Sequence, residues 1–159
     1  MSSFQELMRH NHCWGCGSSN EQGLGIRSRW VEPGRLAVCE WSPSPEHMAG
    51  PTSVLNGGII ATLVDCHGVC TAIANGYLAE GREIGSEPLV WCATASLEVE
   101  YLAPTPLGPP VEVRATVDRV DGRKTWVTCA LAVEGRERAR AHVLAVRVPP
   151  EWLLAGPPV

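Results

Sequence analysis

Residues Thr52–Gly68 read TSVLNGGIIATLVDCHG. An Asn56-Gly57-Gly58 turn runs into an apolar stretch whose members Ile59, Ile60, Leu63 and Val64, then Val69, Ala72 and Ile73, recur at helical spacing. The pattern predicts a helix from Gly57 to about Leu78, with Asn75-Gly76 as a weakening or an end. One carboxylate, Asp65, interrupts the apolar run. Aspartate is a poor helix-interior residue and is almost never fully buried without a partner, so its place there needs a reason.

The segments on either side are β. GLGIRSRWVEPGRLAVCEWSP reads as a hairpin of Leu24–Val31 and Arg35–Trp41 about a Glu-Pro-Gly turn. Pro43, Pro45 and Pro51 make the next segment an irregular loop, and AEGREIGSEP is a second. Ala93–Leu102 alternates in part and stops at Pro104. VEVRATVDRV and KTWVTCALAVEG form two strands about Asp121-Gly122-Arg123, and RARAHVLAVRV is the last, ending at Pro149-Pro150. Two strands, one long helix and four strands predict an α+β architecture. The chain of 159 residues suits one domain, residues 1–159, with an N-terminal segment over 1–22 and a core over about 23–149.

Composition narrows the function classes. Net charge is −4 with scattered cations, which argues against nucleic acid as a partner. The opening MSSFQELMRHNHCWGC has no signal-peptide shape, and the longest uncharged stretch, Thr52–Val64, is too short for a bilayer. A cytoplasmic protein without membrane contact is expected. The seven cysteines are odd in number and irregularly spaced, unlike a secreted disulfide scaffold.

The Gly57-Gly58 start of a long helix, the acid at Asp65 and the strand segment TASLEVEYLAPTPLG resemble the hotdog-fold acyl-CoA thioesterases of the PaaI-like group. CWGCGSSNEQGLGI is similar to the Cys-x-x-Cys-Gly segment that many members carry before their first strand. The resemblance runs from Cys13 to Val148. It implies a six-stranded antiparallel sheet wrapped round one central helix, with subunits paired edge to edge as a homodimer or homotetramer. It also implies an acyl-CoA substrate at the subunit interface and no cofactor, CoA being part of the substrate.

On that resemblance Asp65 faces a cleft rather than a sealed core, and serves as general base or as nucleophile towards the thioester carbonyl. Backbone N–H groups at a helix N-terminus lack intrahelical partners and can meet the developing oxyanion. Gly58 N–H is the expected donor, with Gly57 shaping the turn. Asn56 stands where His is more common in the group, and would orient water or substrate. Thr94 matches a Ser/Thr position that steadies the attacking water from across the interface. His67, about 200° round the helix from Asp65, is expected to pack rather than pair with it. For CoA, Arg82, Arg119, Arg123 and Lys124 are candidates beside turns, whereas Ala103 stands where relatives carry a basic residue. Trp41, Met48, Val54 and Trp91 are expected to flank the acyl group.

Cys13 and Cys16 form a Cys-x2-Cys pair, with His10 and His12 nearby. Zinc takes four ligands, and no second Cys-x2-Cys exists, so no metal is expected and the pair reads as a turn. The competing reading of the whole chain is a non-catalytic acyl-thioester-binding protein on the same fold.

Overall fold

The computed structural model describes residues 2–158. Its elements are α1 (Phe4–Leu7), β1 (Ser28–Glu32), β2 (Leu36–Trp41), α2 (Gly57–Ala79), β3 (Trp91–Tyr101), β4 (Val111–Asp121), β5 (Lys124–Val133), β6 (Arg136–Val148) and α3 (Glu151–Ala155). The six strands form one antiparallel sheet in the order β1-β2-β4-β5-β6-β3, so the chain crosses the sheet through α2 before β3 joins its far edge. This is the hotdog arrangement expected from the sequence.

Helix α2 forms despite four glycines because the sheet packs around it. Leu63, Val64 and Ile73 are fully buried, and they meet inward-facing residues such as Val113, Val127, Leu131 and Val143 in one apolar cluster. Among the described residues, α2 is the one helix long and apolar enough to cross a membrane, with a mean hydropathy of 1.5 over 18 residues. That stretch extends past Asp65, further than the uncharged run suggested, and 61% of it is buried against the protein's own core.

The first strand and the N-terminal helix differ from the sequence reading, and the end of α2 agrees with it to within a residue. The first strand starts at Ser28 rather than Leu24, because Leu24 N–H and Ile26 N–H bond to the carbonyls of Trp14 and Gly15 at 2.9 and 3.1 Å. Residues 24–26 therefore pair with the Cys13–Cys16 turn instead of with β2. Gly76 does not stop the helix, which runs on to Ala79. It is a notch: a Cβ there would lie 2.9 Å from Val90 Cγ1. The short helix α1, closed by a Ser3–Glu6 capping box, was not expected at all.

Candidate active site

Asn56 caps α2. Its Oδ1 accepts from Gly58 N–H at 2.7 Å and from Ile59 N–H at 3.3 Å. An Asn side chain in this role satisfies two of the orphan donors at a helix start. The Gly58 N–H assigned to an oxyanion is therefore held by Asn56 in this structure. Gly57 N–H has no partner among the described residues. The Gly57 carbonyl accepts from the Tyr101 hydroxyl at 2.8 Å, which fixes the helix start against the end of β3.

Two turns further on, Asp65 is half-buried at the margin of a pocket. Thr94 Oγ1 donates to Asp65 Oδ1 at 2.7 Å. Thr94 was expected to steady the attacking water from across an interface; here it bonds to Asp65 directly, within one chain. A bulge makes this possible: Thr94 opposes Ala145 and Ser96 opposes Leu144, so Ala95 is the extra residue. Such an irregularity re-aims the flanking side chains. Burial raises the Asp65 carboxyl above its ordinary 3.8, and the Thr94 hydroxyl, which favours the ionised form, offsets part of that rise.

The pocket beside Asp65 is lined by Trp91, Cys92 and Thr94 of β3, by Ile73 of α2 and by four further thiols. Cys13 and Cys16 reach it from the N-terminal turn, Cys66 and Cys70 from α2. The helical Cys66-x3-Cys70 spacing was readable in the sequence, but not its approach to Cys13 and Cys16. Trp41 lies elsewhere, in a separate cleft with His47 and Ile59. The expected group of acyl-flanking residues is therefore divided, and only Trp91 stands beside Asp65.

His67 is fully buried on the opposite side of α2 from Asp65. Ser28 Oγ donates to its Nδ1 at 2.8 Å, Gln5 Nε2 donates to Ser28 Oγ at 2.9 Å, and His67 Nε2 faces the Ala37 carbonyl at 3.4 Å. These contacts require the neutral Nε2–H tautomer. Burial holds the imidazole down to about 4, so it stays neutral and structural. Of the four basic candidates, Arg82 is engaged by Glu80 and by the carbonyls of Ser86 and Pro88. Arg119 lies over the Trp126 ring at 3.8 Å. Arg123 and Lys124 are exposed at the β4–β5 turn.

A family model described as "Thioesterase superfamily" matches residues 52–139, from the helix cap through β5 and into β6. The chain belongs to the thioesterase superfamily. Among solved members, a thioesterase superfamily protein from Shewanella loihica is 32% identical, with 84% of this chain and 96% of that one covered and a TM-score of 0.61. The PaaI protein from the phenylacetic acid degradation operon of E. coli shares the fold at 15% identity, covering 79% and 80% of the two chains with a TM-score of 0.64. Of curated superfamily relatives, the acyl-coenzyme A thioesterase THEM4 of Xenopus laevis is 33% identical over 97 residues, 61% of this chain. THEM4 of Rattus norvegicus is 25% identical over 137 residues, 84% of this chain. The chain spans 37% and 53% of the length of those two relatives.

Proposed function

We propose that the protein hydrolyses acyl-CoA thioesters, with Asp65 as the general base. The observation that carries this reading is the hydrogen bond from Thr94 to one oxygen of a half-buried carboxylate at a pocket margin. Thr94 fixes the carboxylate and leaves Oδ2 free to take a proton. A water gives that proton to Asp65 as its oxygen bonds to the thioester carbonyl carbon. The tetrahedral intermediate then collapses, the C–S bond breaks, and the CoA sulfur leaves with the proton that Asp65 held.

The oxyanion needs N–H donors about 3 Å away. Gly57 and Gly58 of the same chain do not meet that need. Seven residues separate Gly58 from Asp65, about 10 Å of helix at ~1.5 Å per residue. The helix start of a second copy supplies the donors: Gly57 N–H, and Gly58 N–H once substrate displaces the Asn56 amide. Edge strand β3, eleven residues long with one side unpaired, is the surface through which two copies join into a homodimer. A homotetramer of two such dimers follows from the resemblance. A reducing compartment, the cytoplasm, suits a chain whose seven cysteines are all free.

The occupied Gly58 N–H favours one other reading, an acyl-thioester binder without turnover. The two part in a panel of acyl-CoAs from acetyl to palmitoyl, with aromatic acyl groups included, followed by chromatography. Wild type is expected to turn over a subset of these, and Asp65→Asn to lower kcat by ~10²–10⁴-fold. Saturable binding without hydrolysis would select the binder. Single-turnover reaction in heavy-oxygen water checks the base: label enters the product acid and none enters Asp65.

A further inference from the structure

Four of the five cysteines that line the pocket come from two segments some fifty residues apart. Cys13 Sγ lies 3.7 Å from Cys66 Sγ, and Cys70 Sγ lies 3.6 Å from Cys16 Sγ. The sulfurs of Cys13, Cys16 and Cys66 are all within 4.8 Å of one another. In a tetrahedral thiolate site with Zn–S of about 2.3 Å, neighbouring sulfurs stand about 3.8 Å apart. Both measured contacts match such an edge, and both are well beyond a disulfide bond of about 2.0 Å.

The backbone is shaped to bring the sulfurs together. Gly17 N–H closes a turn on the Cys13 carbonyl at 2.8 Å, and a Cβ on Gly17 would strike Asn11 O and Cys13 N and O at 2.6 Å. A Cβ on Gly15 would lie 2.4 Å from Cys66 Sγ. Both glycines of the CWGCG turn are thus required for it to lie this close to α2. Polar groups support the sulfurs from outside. Asn11 Nδ2 donates to Cys16 Sγ at 3.4 Å, and Arg27 Nη1 donates to the Cys16 carbonyl at 3.3 Å, setting a cation behind the turn. Outer donors of this kind orient thiolate ligands and balance their charge. Cys13 is exposed at the rim and gives an ion a way in, while Cys16, Cys66 and Cys70 are buried.

We propose that Cys13, Cys16 and Cys66 form a thiolate site for a zinc ion that pins the N-terminal turn to the central helix next to Asp65. Cys70, which touches Cys16 but lies outside the cluster of three, closes in as the fourth ligand when the ion binds. The sequence lacks a second Cys-x2-Cys; the fold supplies the other pair from one turn of α2. Binding is a proton exchange without redox: each thiol that ligates Zn2+ releases its proton to solvent. The remaining cysteines do not belong to the site. Burial pushes the Cys39 thiol up to about 11 and that of Cys92, on the β3 wall of the pocket, up to about 12, and neither belongs to the cluster of close sulfurs.

The test is independent of thioester hydrolysis. Protein purified under reducing conditions is assayed for metal by mass spectrometry, then stripped and titrated with Zn2+ or Co2+ against a competing chelator. The expected result is about one ion per chain and, with Co2+, the intense charge-transfer and visible bands of tetrahedral thiolate coordination. Cys13→Ser, at the exposed rim, should weaken Zn2+ affinity by at least ~10-fold. Cys92→Ser should bind as wild type does. Chelation should lower the Tm of wild type by more than that of Cys13→Ser. Sub-stoichiometric metal with no thiolate spectrum overturns the proposal. So does a mass lowered by disulfide formation in protein that binds no metal after reduction. Equal affinity in Cys13→Ser and wild type overturns it as well.

Discussion

At the scale of single residues, Asp65 is held in a condition that suits chemistry better than stability. Its carboxyl is raised by burial, so the ionised form is disfavoured in the folded chain relative to the unfolded one. A raised carboxyl withdraws stability once pH passes the unfolded value. Asp65→Asn should therefore raise Tm at pH 7 while lowering kcat, and the difference in Tm should vanish below pH ~4, where both side chains are neutral. A lower Tm for Asp65→Asn at pH 7 would mean that the carboxylate is a structural anchor. Thr94→Val removes the one hydrogen bond that favours the charged form. The acid limb of its kcat/KM profile should lie at higher pH than that of wild type, measured on the same substrate. Asp65 was legible from its spacing to Gly58. That Thr94 reaches it within one chain was not, because a bulge at Ala95 leaves no mark in the alternation of β3.

Among the elements, α2 carries both the site and the core, and its glycines have different duties. Gly68 lies against β5 and β6: a Cβ there would meet Val143 Cγ2 at 2.9 Å and Cys129 Sγ at 3.3 Å. Gly68→Ala should therefore destabilise by about 1–3 kcal/mol in denaturant unfolding, despite the better helix propensity of alanine. On the same helix, His67 ties α2 to α1 and β1 through Ser28 and Gln5. Its folded value is depressed to about 4. The unfolded chain takes up a proton near pH ~6.5 that the folded chain refuses, so stability falls as pH drops from there towards 4. The loss should be on the order of 3 kcal/mol, and much smaller in His67→Gln. Denaturant melts at pH 7 and pH 4.5 separate the two proteins. The strands were readable to within a few residues because proline and Asp-Gly turns end them sharply. Residues 24–27 were misread as strand: Leu24 and Ile26 are apolar, but their N–H groups pair with the Cys13–Cys16 turn.

For the whole molecule, the proposed reaction takes its oxyanion donors from a second copy, because about 10 Å of helix lies between Gly58 and Asp65. Specific activity should fall when the protein is diluted through its dissociation range, in step with the loss of dimer seen by sedimentation. Full activity in a monomer would return both catalytic functions to one chain. The sequence by itself determined the fold class, the one long helix and the acid on it. Those features follow from local pattern: apolar period, turn residues and the spacing of Asp65 from Gly58. Only the tertiary structure decided which side chains meet. The Thr94–Asp65 bond, the Asn56 cap over Gly58 N–H and the four gathered cysteines join segments separated in sequence or depend on a local backbone irregularity. Contacts of that kind are set by how the sheet closes round α2, and that closure is a property of the packed core rather than of any one stretch of chain.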